Sequence, residues 1–378
     1  MHPTPIRIAT GLSLMLIVAL FLASIAMAKA PNPPRRDHAA VATRVPAEWE
    51  PHAATWMQWP RWFERSYRPA FAEIIRALTA YEPMHIVAHS NSYRDEARAY
   101  LTQRGVPLDN VTFHVMRLDS AWMRDNGPVW VDFAGQLVVQ DWGFDGWGDL
   151  TPYFELDDAI PEQVADRVGV PVQDWNAIIH ERGNLEFNGT DTVIVNWACL
   201  GNRNPQYTEE ELTRVLQQAF GVSRVVMLRS ATSDDETDGH VDGLARFIDE
   251  STVVIPRHVN TQHPDAWVYD EAASIVTQAG LDVIRMDIPG EVVYGGYPMS
   301  AVYVNWLVAN DVVIMPGFGQ PAWDAAAKAS VESYFPGRDV HVIDTRELWF
   351  FGGSVHCVTN DQPMLRDPRA QEVDGLRR

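Results

Sequence analysis

The sequence has few cysteines and little positive charge. Its 378 residues include two cysteines, and 30 Lys and Arg stand against 50 Asp and Glu, which gives a formal net charge of −20. This charge argues against nucleic acid as a partner and disfavours anionic substrates, whereas it attracts cations. Fourteen tryptophans add flat faces on which a planar cation can stack. We therefore expect a small cationic ligand.

Motifs of several common enzyme classes are absent. The chain has no C-x-x-C and no H-E-x-x-H, so the usual zinc sites are not expected. No G-x-G-x-x-G follows a β-rich run and no G-x-S-x-G occurs, which argues against a dinucleotide cofactor and against a serine-hydrolase elbow. The sequence thus indicates neither a metal nor a cofactor.

The first 28 residues have the pattern of a secretory signal peptide. A weakly basic start with Arg7 precedes an almost wholly apolar run over residues 8–26, and A-M-A at 26–28 has the small-x-small form of a cleavage site. We expect cleavage after Ala28, export to the periplasm or beyond, and no stable membrane association afterwards. The alternative is an uncleaved anchor, because the apolar run is near the length that spans a bilayer.

The remaining residues are expected to form a linker, one domain and a tail. P-N-P-P-R-R at 31–36 indicates a solvated linker over residues 29–43. Residues 44–366 have the length of one large domain or two ordinary ones. We interpret them as a single catalytic domain, followed by a tail over residues 367–378.

Helical periodicity and β-rich runs alternate along this domain. Helices are expected at 70–81, 91–104, 160–168, 208–220, 264–279 and 321–335, with short strands between them. From residue 128 onward the order strand, strand, helix, strand recurs with a period of roughly fifty to sixty residues. This pattern predicts an α/β fold of similar modules in a ring or solenoid, with a doubly wound sheet as the alternative.

Cys357 lies beside His356 in the glycine-rich stretch F-G-G-S-V-H-C-V-T. A disulfide with Cys199 would be the default in an oxidising compartment, but a domain of this size does not need one. We therefore expect a free, reactive Cys357 and a small buried Cys199. If residues 354–359 are extended, neighbouring side chains face opposite ways, so His356 would point away from the sulfur and be structural.

His240 is the best candidate base for this thiol. It lies in D-E-T-D-G-H-V-D-G, where Asp238, His240 and Asp242 alternate, so an extended segment would place all three on one face. Two flanking carboxylates raise the pKa of an imidazole, and an imidazolium near a thiol favours the thiolate. The alternative interpretation is an acidic, solvated turn.

Two further stretches carry groups suited to a cation. A-W-M-R-D-N-G-P offers Trp122 as a stacking face and Asp125 as a carboxylate, although an Arg beside an Asp is often only a loop ion pair. H-E-R-G-N-L-E offers Glu181. A thiol, an imidazole, carboxylates and indoles together suit a flat cation that is attacked by sulfur.

These stretches together resemble the agmatine deiminases and the related bacterial peptidylarginine deiminases, among the guanidine-modifying enzymes. The resemblance runs from V-P-A-E-W-E-P-H at 45–52 to N-D-Q-P at 360–363. It includes W-M-R-D-N-G-P, G-N-R-N-P-Q-Y-T, T-D-G-H-V-D, Y-V-N and G-G-S-V-H-C. It implies a five-module α/β propeller, the pentein fold, around a central active site.

The resemblance also implies roles for individual residues. Cys357 would be the nucleophile and His240 the general acid and then the base. Asp125 and Asp242 would clamp the guanidinium, and Asn305 and Trp122 would line the pocket. From its own stretch, Glu181 is a further candidate for substrate binding. The reaction implied is hydrolysis of a guanidine through a covalent thiouronium, without metal or cofactor. Ser354, Phe351 and Arg182 depart from the usual agmatine-deiminase pattern. They would lie beside the site, where they affect the choice of substrate more than the reaction.

The substrate implied is agmatine. Asp145 lies in D-W-G-F-D-G-W-G-D, which contains three Asp and no Lys or Arg, and resembles the corresponding agmatine-deiminase stretch. We expect Asp145 to suit the distal ammonium of agmatine and to repel a carboxylate. The alternatives are an exported peptidylarginine deiminase, an amidinotransferase, or a non-catalytic binder of cationic metabolites. The sequence is compatible with a homo-oligomer.

Overall fold

The structure is a computed structural model that describes residues 43–365. The expected signal peptide, almost all of the linker and the C-terminal tail lie outside these residues. Within residues 43–365, no helix is long and apolar enough to cross a membrane.

The described residues form a mixed α/β fold. Its strands are β1 Thr43–Arg44, β2 His52–Gln58, β3 Met84–Ala88, β4 Val111–Val115, β5 Val129–Phe133, β6 Gln136–Gly143, β7 Val172–Ile179, β8 Glu186–Phe187, β9 Thr192–Asn196, β10 Arg224–Leu228, β11 Arg246–Phe247, β12 Thr252–His258, β13 Asp282–Ile288, β14 Glu291–Tyr294, β15 Tyr297–Ser300, β16 Leu307–Ala309, β17 Val312–Gly317, β18 Asp339–Asp344 and β19 Asn360–Pro363. Its helices are α1 Arg68–Leu78, α2 Asn91–Gln103, α3 Met123–Asn126, α4 Gly146–Asp149, α5 Glu155–Asp158, α6 Ile160–Val168, α7 Trp197–Arg203, α8 Glu209–Phe220, α9 Ala266–Gln278, α10 Pro321–Tyr334 and α11 Arg346–Phe350, with 3₁₀ turns at Trp62–Tyr67, Arg182–Asn184 and Val241–Gly243.

Five sheets of the described chain repeat one arrangement. In each, an antiparallel pair is followed by a parallel pair whose crossover contains a helix. The sheets have the strand orders β1-β5-β6-β7, β8-β9-β10, β11-β12-β13, β16-β17-β18 and β19-β2-β3-β4. A separate hairpin, β14-β15, completes the described strands. The recurring order expected from the sequence is therefore present, and a single doubly wound sheet is excluded for these residues.

The fifth sheet joins the two ends of the described chain. Strand β19 pairs antiparallel with β2, with Asn360 opposite Trp56 and Asp361 opposite Thr55. Strands β3 and β4 continue this sheet in parallel. The last motif of the sequence resemblance thus pairs with the strand that begins where the first motif ends, and Pro363 lies opposite His52.

The six helices expected from periodicity are all present, with ends shifted by at most a few residues. Helix α8 shows why its start was predictable. The Thr208 side chain accepts a hydrogen bond from the Glu211 backbone, and the Glu211 carboxylate accepts one from the Thr208 backbone, which is the capping box that T-x-x-E encodes.

Two segments expected to be extended are not strands. Residues 355–358 form turns ahead of β19, and Val241–Gly243 is a 3₁₀ turn. Asp238 has φ 63° and Gly239 has φ 95°, so the backbone between them cannot continue a strand. The alternation argument for Asp238, His240 and Asp242 was therefore wrong.

Candidate active site

The candidate site residues lie in the five connections between successive sheets. Asp125 lies between β4 and β5, Glu181 between β7 and β8, and His240 with Asp242 between β10 and β11. Asn305 lies between β15 and β16, and Cys357 between β18 and β19. The fold brings these connections together, so residues more than 200 positions apart in the sequence surround one cavity.

The Cys357 thiol is free and buried, as is that of Cys199, which confirms that the two cysteines are not bonded. The side-chain amide of Asn305 donates to the Cys357 sulfur at 3.3 Å, and Asp242 Oδ2 lies 3.6 Å from it. Arg124 holds the turn, because its backbone N–H donates to the carbonyl of Cys357 and its Nε to that of His356, both at 3.1 Å.

The electrostatic surroundings keep this thiol protonated. Burial, followed by the charges of Asp242 and Asp125, raises the pKa of Cys357 well above its usual value. The sequence-based expectation was that a nearby imidazolium would favour the thiolate. The charges of two carboxylates oppose this effect, so a cation that neutralises them would favour the thiolate.

His240 is held between two carboxylates, although they are not the ones expected. Its Nε2 lies 3.1 Å from Glu181 Oε2, and its Nδ1 lies 3.4 Å from Asp125 Oδ1. Asp238, the flanking acid expected from the sequence, instead accepts a hydrogen bond from Arg203 at 2.7 Å. Asp242 faces the cysteine side of the cavity.

These contacts make His240 a cation. Burial on its own lowers the pKa of His240, but Asp125, Cys199 and Glu181 outweigh it and raise that pKa well above the usual value. Glu181 shows the complementary effect: against its own burial, His240 and Arg203 lower its pKa to about 2. Glu181 thus orients and charges the imidazole.

Gly183 lies directly against this pair. A Cβ at this position would come within 2.5 Å of both Asp125 Oδ1 and His240 Nδ1. Its backbone N–H also donates to Asp125 Oδ1 at 3.2 Å. The position therefore requires glycine, and the sequence pattern E-R-G-N gave no sign of this requirement.

Asp125 has a carboxyl group whose pKa lies close to neutral pH. The indole of Trp147 donates to its Oδ2 at 3.0 Å. Burial is the largest influence and raises the pKa of Asp125 to about 6, although His240 opposes it. The neighbouring Arg124 does not form the loop ion pair considered from the sequence, since it pairs with Asp361 at 2.9 Å.

Asp242 is positioned by a buried relay that the sequence did not reveal. His356 Nδ1 lies 2.8 Å from Asp242 Oδ2, and His356 Nε2 lies 2.7 Å from Glu48 Oε2. Glu48 in turn pairs with Arg246 at 2.9 Å. Although burial opposes it, this environment lowers the pKa of Asp242. The strand that would have turned His356 away from the sulfur is absent. His356 instead contacts Asp242 Oδ2, which lies 3.6 Å from the Cys357 sulfur, so its structural role stays a prediction.

Four carboxylates line the cavity. Asp234 and Asp235 join Asp125 and Asp242 along a wall that also includes His240 and Cys357. Asp145, the acid expected to meet a distal ammonium, does not line this cavity. Its carboxylate accepts a hydrogen bond from the Gly148 backbone at 2.7 Å and lies 4.0 Å from Arg203, so it caps a local turn.

Trp122 lies at the mouth of the cavity. It lines the entrance with Trp147 and Phe351, and the same two tryptophans line a neighbouring groove. A Cβ on Gly353 would come within 2.4 Å of the Trp122 ring, so this glycine lets the indole lie close to Cys357. Phe351, one of the departures from the agmatine-deiminase pattern, is thus an entrance residue.

One group of described residues has the donor types and spacing of a metal site. Glu181, Cys199 and His240 offer ligand atoms that all lie within 4.8 Å of one another.

The chain matches the family model of the Porphyromonas-type peptidyl-arginine deiminases over residues 44–363. It belongs to this family. The agmatine deiminase of Pseudomonas aeruginosa strain LESB58 is 30% identical over 378 residues, an alignment that spans 90% of this chain and 100% of that protein. The agmatine deiminase of Stutzerimonas stutzeri is also 30% identical, with 84% of this chain and 95% of that protein covered.

Solved structures of the family share the fold. The solved structure of Enterococcus faecalis agmatine deiminase has a TM-score of 0.78 at 25% identity, and the match covers 88% of this chain and 100% of that one. A substrate-bound C. jejuni agmatine deiminase has a TM-score of 0.79 at 21% identity, with 88% and 100% covered. Family membership makes this chain a guanidine-modifying hydrolase that acts on C–N bonds.

Proposed function

We propose that the protein hydrolyses agmatine to N-carbamoylputrescine and ammonia. The observation that carries this proposal is the cavity in which a thiol and an imidazolium face four carboxylates. Asp125 and Asp242 suit the guanidinium, and Asp234 and Asp235 suit the ammonium at the other end of the substrate. Agmatine carries both cations and no carboxylate, which matches a wall of one charge sign.

Substrate binding supplies the charge that the nucleophile requires. The guanidinium displaces solvent between Asp125 and Asp242 and neutralises the two carboxylates that raise the pKa of Cys357. The thiol proton then leaves to solvent, and the thiolate remains beside the guanidinium carbon. The side-chain amide of Asn305 stabilises this anion through its hydrogen bond to sulfur.

His240 then acts as the general acid and afterwards as the general base of the reaction. Sulfur adds to the guanidinium carbon, and His240 gives its proton to the departing nitrogen, which leaves as ammonia. The thiouronium that remains is attacked by water, from which the now neutral His240 removes a proton. Collapse expels the Cys357 thiolate and leaves a ureido group. Glu181 and Asp125 hold the imidazole in both steps.

We also propose that the five sheets form a closed ring, the propeller expected from the resemblance. Two features support this arrangement. Four of the five connections between successive sheets line one cavity, the fifth places Glu181 against His240 of that cavity, and β19 completes the sheet that contains β2. A ring of five modules explains how residues so distant in sequence converge at one end of their sheets.

The experiment that tests the substrate compares kcat/KM for agmatine, free arginine and a peptide ending in arginine. Agmatine should be preferred, and Asp234→Asn and Asp235→Asn should each weaken agmatine by about tenfold to a hundredfold, the range of one lost charge contact. Asp145→Asn is the matched control, since Asp145 lies outside the cavity lining. A selective loss in that variant would instead restore the sequence-based role of Asp145.

Peptidylarginine is the second candidate, and one observation favours it. The groove beside the entrance has a volume of about 640 Å³, shares Trp122 and Trp147 with that entrance, and contains Arg61 and Arg117. Agmatine has nothing to place there, whereas a peptide has a backbone and a terminal carboxylate. A peptide preferred over agmatine in the same assay would assign this function and leave the Cys357 chemistry unchanged.

We further propose that the protein is exported after cleavage behind Ala28. The apolar run over residues 8–26 and the A-M-A site carry this proposal. N-terminal sequencing of protein from fractionated cells should give Lys29 as the first residue. Protein that retains Met1 and stays in the cytoplasm would reject it.

A further inference from the structure

Cys199 is the one cysteine that the proposed reaction does not use, and it lies behind the acid–base histidine. Its S–H donates to Glu181 Oε2 at 2.9 Å, and the same oxygen lies 3.1 Å from His240 Nε2. Of these three residues, only His240 lines the cavity. The thiol, carboxylate and imidazole therefore form a compact buried cluster one layer below the reacting atoms.

The donor set of this cluster is one that zinc binds. Thiolate, imidazole and carboxylate are all zinc ligands, with metal–ligand bonds of about 2.0 to 2.3 Å, so donors in a tetrahedral site lie about 3.5 Å apart. The donor atoms here lie within 4.8 Å of one another, with two of the separations at 2.9 and 3.1 Å. A small outward shift of the three side chains would admit an ion, and one position would remain for water.

Neighbouring groups already hold these donors as the outer partners of a zinc site do. Asp125 Oδ1 lies 3.4 Å from His240 Nδ1, so a carboxylate faces the nitrogen opposite the cluster. Arg203 Nε donates to Glu181 Oε1 at 2.8 Å and leaves Oε2 directed at the cluster. Carboxylate-to-histidine contacts of this kind fix ring orientation in metal sites.

Replacement of two protons by one divalent ion would leave the net charge of the cluster unchanged. An incoming divalent ion forms bonds to Cys199 Sγ, His240 Nε2 and Glu181 Oε2, and the protons on the sulfur and on Nε2 leave to solvent. Two positive charges replace two, so the buried cluster keeps its net charge beside Arg203 and Asp125. The ion reaches the cluster through the cavity, past His240, and its arrival removes the proton that His240 gives to ammonia.

We propose that Glu181, Cys199 and His240 form a binding site for one zinc-type divalent ion, and that occupation of this site stops turnover. The binding part stands independently of the substrate, and the inhibition part rests on the proposed role of His240. The site differs from a metal site on the nucleophile, because its sulfur belongs to Cys199.

The test uses Co²⁺ as a spectroscopic probe in the full chain with Cys357→Ser, so that the nucleophile cannot supply sulfur. Titration should give one Co²⁺ per chain with a sulfur-to-cobalt charge-transfer absorption. Adding Cys199→Ser should abolish this band and weaken binding by a hundredfold or more. Cys199→Ala serves as a second variant if serine perturbs the fold, with circular dichroism as the check on folding.

Inhibition by Zn²⁺ is measured separately in chains that keep Cys357. Each is compared with its own metal-free rate, and Cys199→Ser should need at least tenfold more Zn²⁺ for half-inhibition. A band that survives in Cys357→Ser/Cys199→Ser, or is absent from Cys357→Ser, would overturn the site. Binding that follows Cys199 without any change in turnover would overturn the inhibition and count against His240 as the acid, while the agmatine assay would remain a separate test of substrate.

Discussion

At the scale of single residues, the site depends on a thiol that is neutral until a cation arrives. Burial, Asp242 and Asp125 raise the pKa of Cys357. Cationic chloroacetamidine should therefore alkylate Cys357 at least a hundredfold faster than neutral chloroacetamide at pH 7, since only the amidinium neutralises the two carboxylates. Mass spectrometry of the labelled peptide measures both rates. Equal rates would mean that the thiolate exists without substrate.

Asp125 gives a second residue-scale prediction, in the pH dependence of binding. The pKa of Asp125 is raised to about 6 by burial, so below that pH the carboxyl is neutral and attracts a guanidinium less. Agmatine affinity for the unreactive Cys357→Ser variant, measured by calorimetry, should therefore fall about tenfold per pH unit below 6. Affinity that stays constant from pH 7 to 5 would contradict this assignment.

Gly183 gives a prediction about geometry. In Gly183→Ala the new methyl group would lie within 2.5 Å of Asp125 Oδ1 and His240 Nδ1, so both side chains must move. A shift of about 1 Å in catalytic groups can cost on the order of a hundredfold in rate, and kcat/KM should fall by that much. Gly290→Ala is the matched control, because a Cβ there meets nothing within 4 Å. A similar loss in both variants would remove the local explanation.

At the scale of elements, the sequence predicted the recurring helices and strands but not the turns that carry His240 and Cys357. The six helices follow from apolar periodicity, and α8 even from its capping threonine. The segments around His240 and Cys357 contain glycines and alternating polar residues that suit a strand as well as a turn. Their conformation is set by partners from other modules, such as Arg124 on the Cys357 turn, which local sequence does not contain.

The same limit applied to the contacts of the site. The motifs identified Cys357, His240, Asp125 and Asp242 as residues of one cavity. They did not show which carboxylate contacts the imidazole and which lies beside the thiol. Asp238 looked like the partner of His240, but its positive φ turns it toward Arg203. Pairings across sheets depend on how the connections converge, so spacing along the chain could not assign them.

Glu48 allows a prediction at the scale of elements, because its carboxylate contacts segments from three different sheets. It pairs with Arg246, lies 2.7 Å from His356 Nε2 and accepts the backbone N–H of Val308 at 2.7 Å. Glu48→Gln removes one of the two carboxylates that pair with the buried Arg246, the other being Glu186. The loss of this charged hydrogen bond should lower the free energy of unfolding by about 2 kcal/mol. It should also raise KM, because His356 positions Asp242.

The control for Glu48→Gln lies two residues away. Glu50 pairs with Arg44 on a more exposed part of the same segment, where an ion pair contributes about 1 kcal/mol or less. Glu50→Gln should therefore change denaturant stability slightly and KM not at all. If both variants behaved alike, the relay through His356 would not position Asp242.

At the scale of the whole molecule, composition indicated the ligand before any motif did. A net charge of −20 implied a cationic partner, and the cavity wall repeats that sign in four carboxylates. The resemblance across the chain identified the family correctly. The recurring element order could not show by itself how the modules close, because no repeated motif accompanies it.

The overall charge leads to the last prediction, which concerns ionic strength. A negative molecule with an acidic cavity attracts a dication more strongly than a monocation, and salt screens this attraction over about 10 Å at 0.1 M. Raising NaCl from 20 to about 200 mM should lower kcat/KM for agmatine, and its slope against salt should be about twice that for butylguanidine, which lacks the terminal amine. Stopped-flow association with Cys357→Ser separates steering from chemistry, because we expect that variant to bind without reacting. Equal slopes for the two ligands would show that the distal ammonium does not sense the acidic wall, and Asp234 and Asp235 would lose their proposed role.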